Sequence, residues 1–289
     1  NASFGWPLST SSNLYSGGPS WPFSAVGTRI KWSPAYPLVL MLAITDDNPT
    51  RGPFYSTLSP TRIDPSGTTF STKGGTLFMG EAQLWVDAAQ SLSGKDAPAL
   101  PGTWKIGGLY DTGRFPDPRF DSQGGLLGSP DSTGTPLYHS GTWLGYVVLD
   151  QALWRTVGDP VKAINTFIRA TMASGTRNRL TAEVEAGLTL QGFVPSRPND
   201  VIGIGWGTGF FSHRAKENAR DVIRLSDSSA RLLVPENHIE LTWQVPVRDY
   251  LTLQPDFQYF WNLGGQEPVK GAASVSRGAV LGLNMTTSF

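Results

Sequence analysis

The 289-residue chain contains no cysteine. That excludes a disulfide scaffold, a thiolate nucleophile and a Cys-ligated zinc, and it suits a protein that crosses an oxidising compartment unfolded. Basic and acidic side chains number 23 each, so no bulk charge draws the chain to a polyanion, and nucleic acid is excluded as a partner. No run of about 18 apolar residues occurs, which excludes a transmembrane helix. Neither an initiator Met nor a basic stretch followed by an apolar one opens the chain, which therefore reads as a mature product or a fragment. Only 4 Met and 16% charged residues argue against long solvated helices.

What the chain does have is turn chemistry and indole: 33 Gly, 22 Pro and 10 Trp bias it towards all-β. Eleven stretches alternate apolar with polar or small residues at a period of two: 25–32, 38–45, 76–87, 103–112, 142–155, 161–174, 180–191, 201–211, 238–247, 251–261 and 279–289. The seventh shows the pattern plainly. Leu180, Ala182, Val184, Ala186, Leu188 and Leu190 share one face, and Glu183, Glu185 and Gln191 the other. The last runs to Phe289 with no polar tail.

The connections alternate too. Links at 33–37, 88–102, 156–160, 192–200 and 248–250 are mostly short, and those at 46–75, 113–141, 212–237 and 262–278 are long; 175–179 is the exception. A meander whose two ends face different environments sorts its loops this way, and a soluble sandwich has no reason to. An outer-membrane barrel needs only about 9 to 11 residues per strand, with apolar side chains facing lipid and charged ones facing water. Trp32, Trp85, Trp104, Trp143, Trp154, Tyr250, Trp261 and Phe289 lie near strand ends and read as an interfacial girdle. The expected fold is a transmembrane antiparallel up-and-down β-barrel. The competing fold is a soluble β-sandwich whose apolar faces meet in a core, with the tryptophans forming a sugar platform.

The stretches NASFGWP (1–7), DQALWR (150–155) and LTLQPDFQYFWNLGG (251–265) resemble the carbohydrate-selective porins of the OprB family. The late hairpin of that family reads QPDxQYxxxPGG. This chain keeps Gln254, Pro255, Asp256, Gln258, Tyr259, Gly264 and Gly265 and has Leu263 where Pro is usual. The closing AVLGLNMTTSF is also similar to the family's last strand. The resemblance implies a sixteen-stranded barrel in the outer membrane of a Gram-negative bacterium that passes glucose and similar sugars. With eleven strands and Phe289 at the periplasmic rim, residues 1–289 read as the C-terminal portion of one porin domain, five strands short of sixteen, with 1–24 in an external loop. Implied partners are small carbohydrates, outer-membrane lipid and lipopolysaccharide, and the barrel-assembly machinery through the strand ending in Phe289.

Diffusion through such a pore needs no bond chemistry and no cofactor or metal. It needs lumen groups that exchange hydrogen bonds with sugar hydroxyls. The inward candidates near mid-strand are Arg29, Lys31, Glu81, Gln83, Lys105, Asp111, Arg169, Glu183, Glu185, Glu240 and Gln258. The more ordinary reading of each is a charge that a wet lumen tolerates, braced in cross-strand pairs, because a barrel has many inward positions and a constriction uses few. Carboxylates in DTGRFPDPRFD (111–121) and SPDSTG (129–134) read as turn formers. An enzyme on a barrel would need a nucleophile beside a base, and His139, His213 and His238 carry no accompanying motif. A general small-solute porin is the nearest alternative within the same fold.

Overall fold

In a computed structural model, which describes residues 12–19, 23–52, 54, 60–68, 74–87, 100–156, 159–227, 229–266 and 276–288, the eleven alternating stretches become the strands of one antiparallel sheet. They are β1 (Gly27–Ala35), β2 (Leu38–Asp46), β3 (Thr76–Asp87), β4 (Pro101–Asp121), β5 (Pro136–Thr156), β6 (Asp159–Ala173), β7 (Leu180–Gln191), β8 (Val201–Phe211), β9 (Glu236–Arg248), β10 (Leu251–Trp261) and β11 (Arg277–Thr287). Spatial order follows chain order throughout. Among the described residues, β1 and β11 each pair with one neighbour only.

Register joins like to like across the whole sheet. One row runs Trp32, Leu40, Ala82, Ile106 and Val147 in directly opposed pairs. A second runs on the same face through Leu188, Ile204, Leu241, Phe257 and Leu281. Most of these side chains are exposed, Ile106 at 63% and Leu281 at 83%, and Leu40, Ala82 and Phe257 are half-buried. The opposite parity carries Glu81, Lys105, Arg169, Glu185 and Glu240, and there Glu183, Glu185 and Glu240 are buried. A period of two makes this separation automatic once register is set. The outcome inverts a soluble protein, in which charged groups are almost never fully buried. No described helix is long and apolar enough to cross a membrane.

Two features depart from the sequence reading. β4 and β5 are 21 residues each and run well past the expected 103–112 and 142–155, so most of the supposed loop 113–141 is a projecting hairpin. Register shifts between Asp111 and Arg114 and between Pro116 and Asp121 interrupt the alternation, which is why the pattern stopped there. Asp111 and Asp117 therefore stand in a strand. Asp121 does shape a turn, accepting from the backbone N–H groups of Gln123 (3.0 Å) and Gly125 (2.7 Å).

The second is helix α1 (His213–Leu225), inside a segment expected to be loop. Ser212 caps it, its hydroxyl accepting from the Ala215 N–H at 3.2 Å. Ala215 and Ala219 pack on Leu180, Phe211 and Leu233 in a small apolar cluster. On its far side α1 is tied to the β4 extension. Arg119 Nε donates to Asp221 Oδ2 at 2.8 Å, Ser226 Oγ donates to the Gly128 carbonyl at 2.6 Å, and Arg214 and His139 both pair with the fully buried Asp117. The helix thus ties the end of β8 to the β4 extension, with three strands of the sheet between them. The N-terminal segment docks at the same end: Tyr15 Oη donates to the Arg114 carbonyl at 2.6 Å, and its ring meets those of Phe54 and Phe115.

At the short-turn end, Asp200 accepts from Arg197 Nε (2.7 Å) and Trp243 Nε1 (2.9 Å), stapling the β7–β8 turn to β9. The Arg197 guanidinium holds the Asp200 carboxyl below its ordinary range.

Cutting the buried anion from the α1 latch strands two partners. Asp117→Ala is expected to lower the local opening energy of α1 by about 2–3 kcal/mol, speeding amide exchange in α1 roughly 30- to 150-fold while the strands keep their protection. Unchanged exchange in α1 would mean that the ionic latch does not hold the helix. Gly187→Ala tests the strand contact: an added Cβ would lie 2.6 Å from the Ile204 carbonyl oxygen, and overpacking there costs about 1–3 kcal/mol, read as a lower unfolding temperature.

Candidate functional site

Ten of the residues singled out from the sequence share the polar face of the sheet, and the registers spread them along it. Arg29 and Lys31 stand on the exposed edge strand β1, opposite Ala43 and Met41. The other eight fall into two groups.

The first group spans β3 to β5. Gln83 opposes Lys105, and Glu81 opposes Gly107, which in turn opposes Tyr146. Glu81 is a double acceptor: Gln83 Nε2 donates to Oε1 at 2.5 Å and Tyr146 Oη to Oε2 at 2.6 Å. Lys105 Nζ reaches Asp150 Oδ2 at 3.4 Å. Gly107 is required here because a Cβ would lie 2.5 Å from the Tyr146 hydroxyl and 2.8 Å from the Gly80 carbonyl. The ring can then lie across β4 to Glu81.

The second group spans β6 to β10. Arg169 opposes Glu185, with Nε 2.5 Å from Oε2, and the guanidinium also covers the Phe167 ring at 5.4 Å. Glu183 lies two residues away on the same face. β8 then presents four glycines in succession on the polar parity: Gly203, Gly205, Gly207 and Gly209. Gly209 opposes Glu183 and Gly207 opposes both Glu185 and His238, while Gly205 opposes Glu240, itself opposite Gln258. A strand without side chains on this face is a trough flanked by carboxylates. A Cβ at Gly207 would press on the His238 ring and lie 3.0 Å from Glu185 Cγ, so the trough is the space those side chains occupy.

Chemically, the face offers charged acceptors and donors held in cross-strand pairs, the strong class of hydrogen bond. Among the described residues no three His, Cys, Asp or Glu side chains are grouped to hold a metal ion. Sequence reading missed Tyr146, Asp150 and His238. The first two share one parity of TWLGYVVLDQALWR and were readable from it. It also misplaced Trp85. Trp32, Trp104, Trp143 and Trp154 do stand on the apolar face, but Trp85 has the parity of Glu81 and Gln83 and opposes Thr103 on the polar one. Phe289 lies outside the described residues.

A sheet with an exposed apolar face and a charged opposite face is the wall of a transmembrane β-barrel. The family model of the carbohydrate-selective porins, OprB family, matches residues 1–289, and the chain belongs to that family. Porin B of Pseudomonas aeruginosa PAO1 is 27% identical over 278 residues, covering 93% of this chain and 56% of the relative. The high-pH structure of Pseudomonas putida OprB has the same fold, with a TM-score of 0.71 at 23% identity over 93% of this chain and 60% of that one. The chain thus spans little more than half the length of these two proteins. The family is one of transport channels in the Gram-negative outer membrane, and the chain is an outer-membrane protein.

Tyr146→Phe removes one of the two bonds to Glu81 without changing shape. The expected loss is about 1 kcal/mol, or roughly 2–4 °C in the unfolding temperature of the detergent-solubilised protein. No shift would show that Glu81 finds an equivalent partner.

Proposed function

We propose that this chain forms most of the wall of a water-filled pore through which small carbohydrates such as glucose diffuse passively across the outer membrane. The observation that carries the reading is the inverted burial: an exposed apolar face towards lipid and carboxylates, amides and guanidinium groups on the face that becomes the lumen. Arg29, Lys31, Glu81, Gln83, Lys105, Arg169, Glu183, Glu185, Glu240 and Gln258 contribute to that lining. Carboxylates accept from sugar hydroxyls, guanidinium and ammonium groups donate to them, and the cross-strand pairing keeps each contact exchangeable.

Residues 1–289 belong to one barrel domain. An open edge in lipid leaves a row of backbone groups unpaired, so β1 and β11 are closed by further strands. The long loops face outwards and the short turns the periplasm, as in other outer-membrane barrels. Lipid and lipopolysaccharide cover the apolar face, where Trp32, Trp104 and Trp143 sit at the interfaces. The last strand is the one offered to the barrel-assembly machinery. Passage involves no catalytic step. His139 pairs with Asp117 at the loop latch, His213 opens α1, and His238 leans on the Phe260 ring.

Liposome swelling with the reconstituted porin tests the reading. Glucose is expected to enter faster than uncharged non-sugar solutes of equal size, and small ions to pass as well. Entry rates ordered by size alone would leave a general porin. No entry of any solute would reject the pore.

A further inference from the structure

We propose that the short-turn end of the polar face carries a binding subsite for a single sugar ring, built on the indole of Trp85. The proposal rests on the pore reading above and assigns a specific place to the sugar.

The first observation is the position of the ring. Trp85 stands on the water-facing side of β3, two residues from its end, and is 49% exposed. The interfacial girdle accounts for an indole on the apolar face, but a half-exposed indole on the wet face has no lipid to meet. It presents a large flat apolar surface to water, which is favourable to cover.

The second observation is what surrounds it. A cavity of about 300 Å³ opens beside the ring, lined on the same face by Thr103, Asp150, Asn165 and Thr189. This is the lower end of the range for small-molecule sites, with room for one ring. Asp150 is held by Lys105 Nζ at 3.4 Å, so the site is charge-balanced and selects a neutral ligand. Asn165 Nδ2 reaches Thr189 Oγ1 at 3.4 Å, a long bond that a ligand hydroxyl replaces at little cost.

The chemistry matches a pyranose. Its ring has a face of C–H groups, which stacks on the indole, and a rim of hydroxyls, which both donate and accept. Asp150 accepts from that rim, and Asn165 does both. A purely apolar ligand would strand the carboxylate and amide, and an anion would meet Asp150. The location adds a directional consequence: a sugar arriving from the short-turn side meets this site first.

Glucose block of ion current through the porin in planar bilayers reads the site directly. Trp85→Ala is expected to raise the half-blocking glucose concentration about tenfold, most strongly for glucose added on the short-turn side. Trp85→Phe keeps an aromatic face and recovers most of the effect. Asn165→Ala raises the concentration a few fold, and Trp143→Phe, on the opposite face, leaves it at the wild-type value. A conducting Trp85→Ala channel blocked at the wild-type concentration overturns the subsite, as does an unchanged Asn165→Ala channel together with failed rescue by Trp85→Phe. If glucose swells liposomes yet Trp85→Ala behaves as wild type, the subsite alone falls. If wild-type channels neither block nor swell with glucose, the pore reading falls with it.

Discussion

In the hydrocarbon core of a bilayer no water is present to satisfy backbone N–H and C=O groups, so every one must find a partner in the protein. The continuous antiparallel ladder meets that demand everywhere between the outer edges of β1 and β11, and the rest of the molecule follows from it. Register decides which side chains share a face, and a slip of one residue would send Glu185 and Arg169 into lipid. The apolar face that carries Ile106, Ile204 and Leu241 is thus more than packing: it locks each strand against slipping. Loops at one end escape the constraint. There α1 and the β4–β5 hairpin are held by ion pairs around Asp117 and Asp221.

The strands were legible in the sequence because lipid on one side and water on the other impose alternation on every residue that crosses the membrane. β3, β7, β8 and β10 match their expected ranges for that reason. Legibility ended where the membrane does. The extension of β4 beyond Asp111 is bulged, so its parity shifts, and its Pro and Asp residues imitate a turn. α1 was missed because its stability comes from Ser212 at the cap and Ala215 and Ala219 against Phe211, contacts distant from any period-two pattern.

The polar face was legible as a set but not as a site. Parity placed Glu81, Arg169 and Glu185 correctly, yet it could not show that Tyr146 closes over Glu81 or that four glycines of β8 line up between the carboxylates of β7 and β9. Those facts depend on which strand lies beside which, and at what register. Trp85 shows the converse error. Its place near a strand end resembled that of the girdle tryptophans, and only its parity with Gln83 separates it from them. Position along a strand gives depth in the membrane, whereas parity gives the solvent.

The two faces of the sheet meet two different solvents, and the absence of cysteine makes this directly measurable. Single cysteines placed in turn at residues 183 to 188 of β7, each carrying a nitroxide in the liposome-reconstituted porin, would report collision with oxygen in lipid and with a nickel chelate in water. Strict alternation is expected: Val184, Ala186 and Leu188 reached by oxygen, Glu183, Glu185 and Gly187 by nickel. Uniform access to nickel at all six positions, or protection of the apolar three from both reagents, would contradict it.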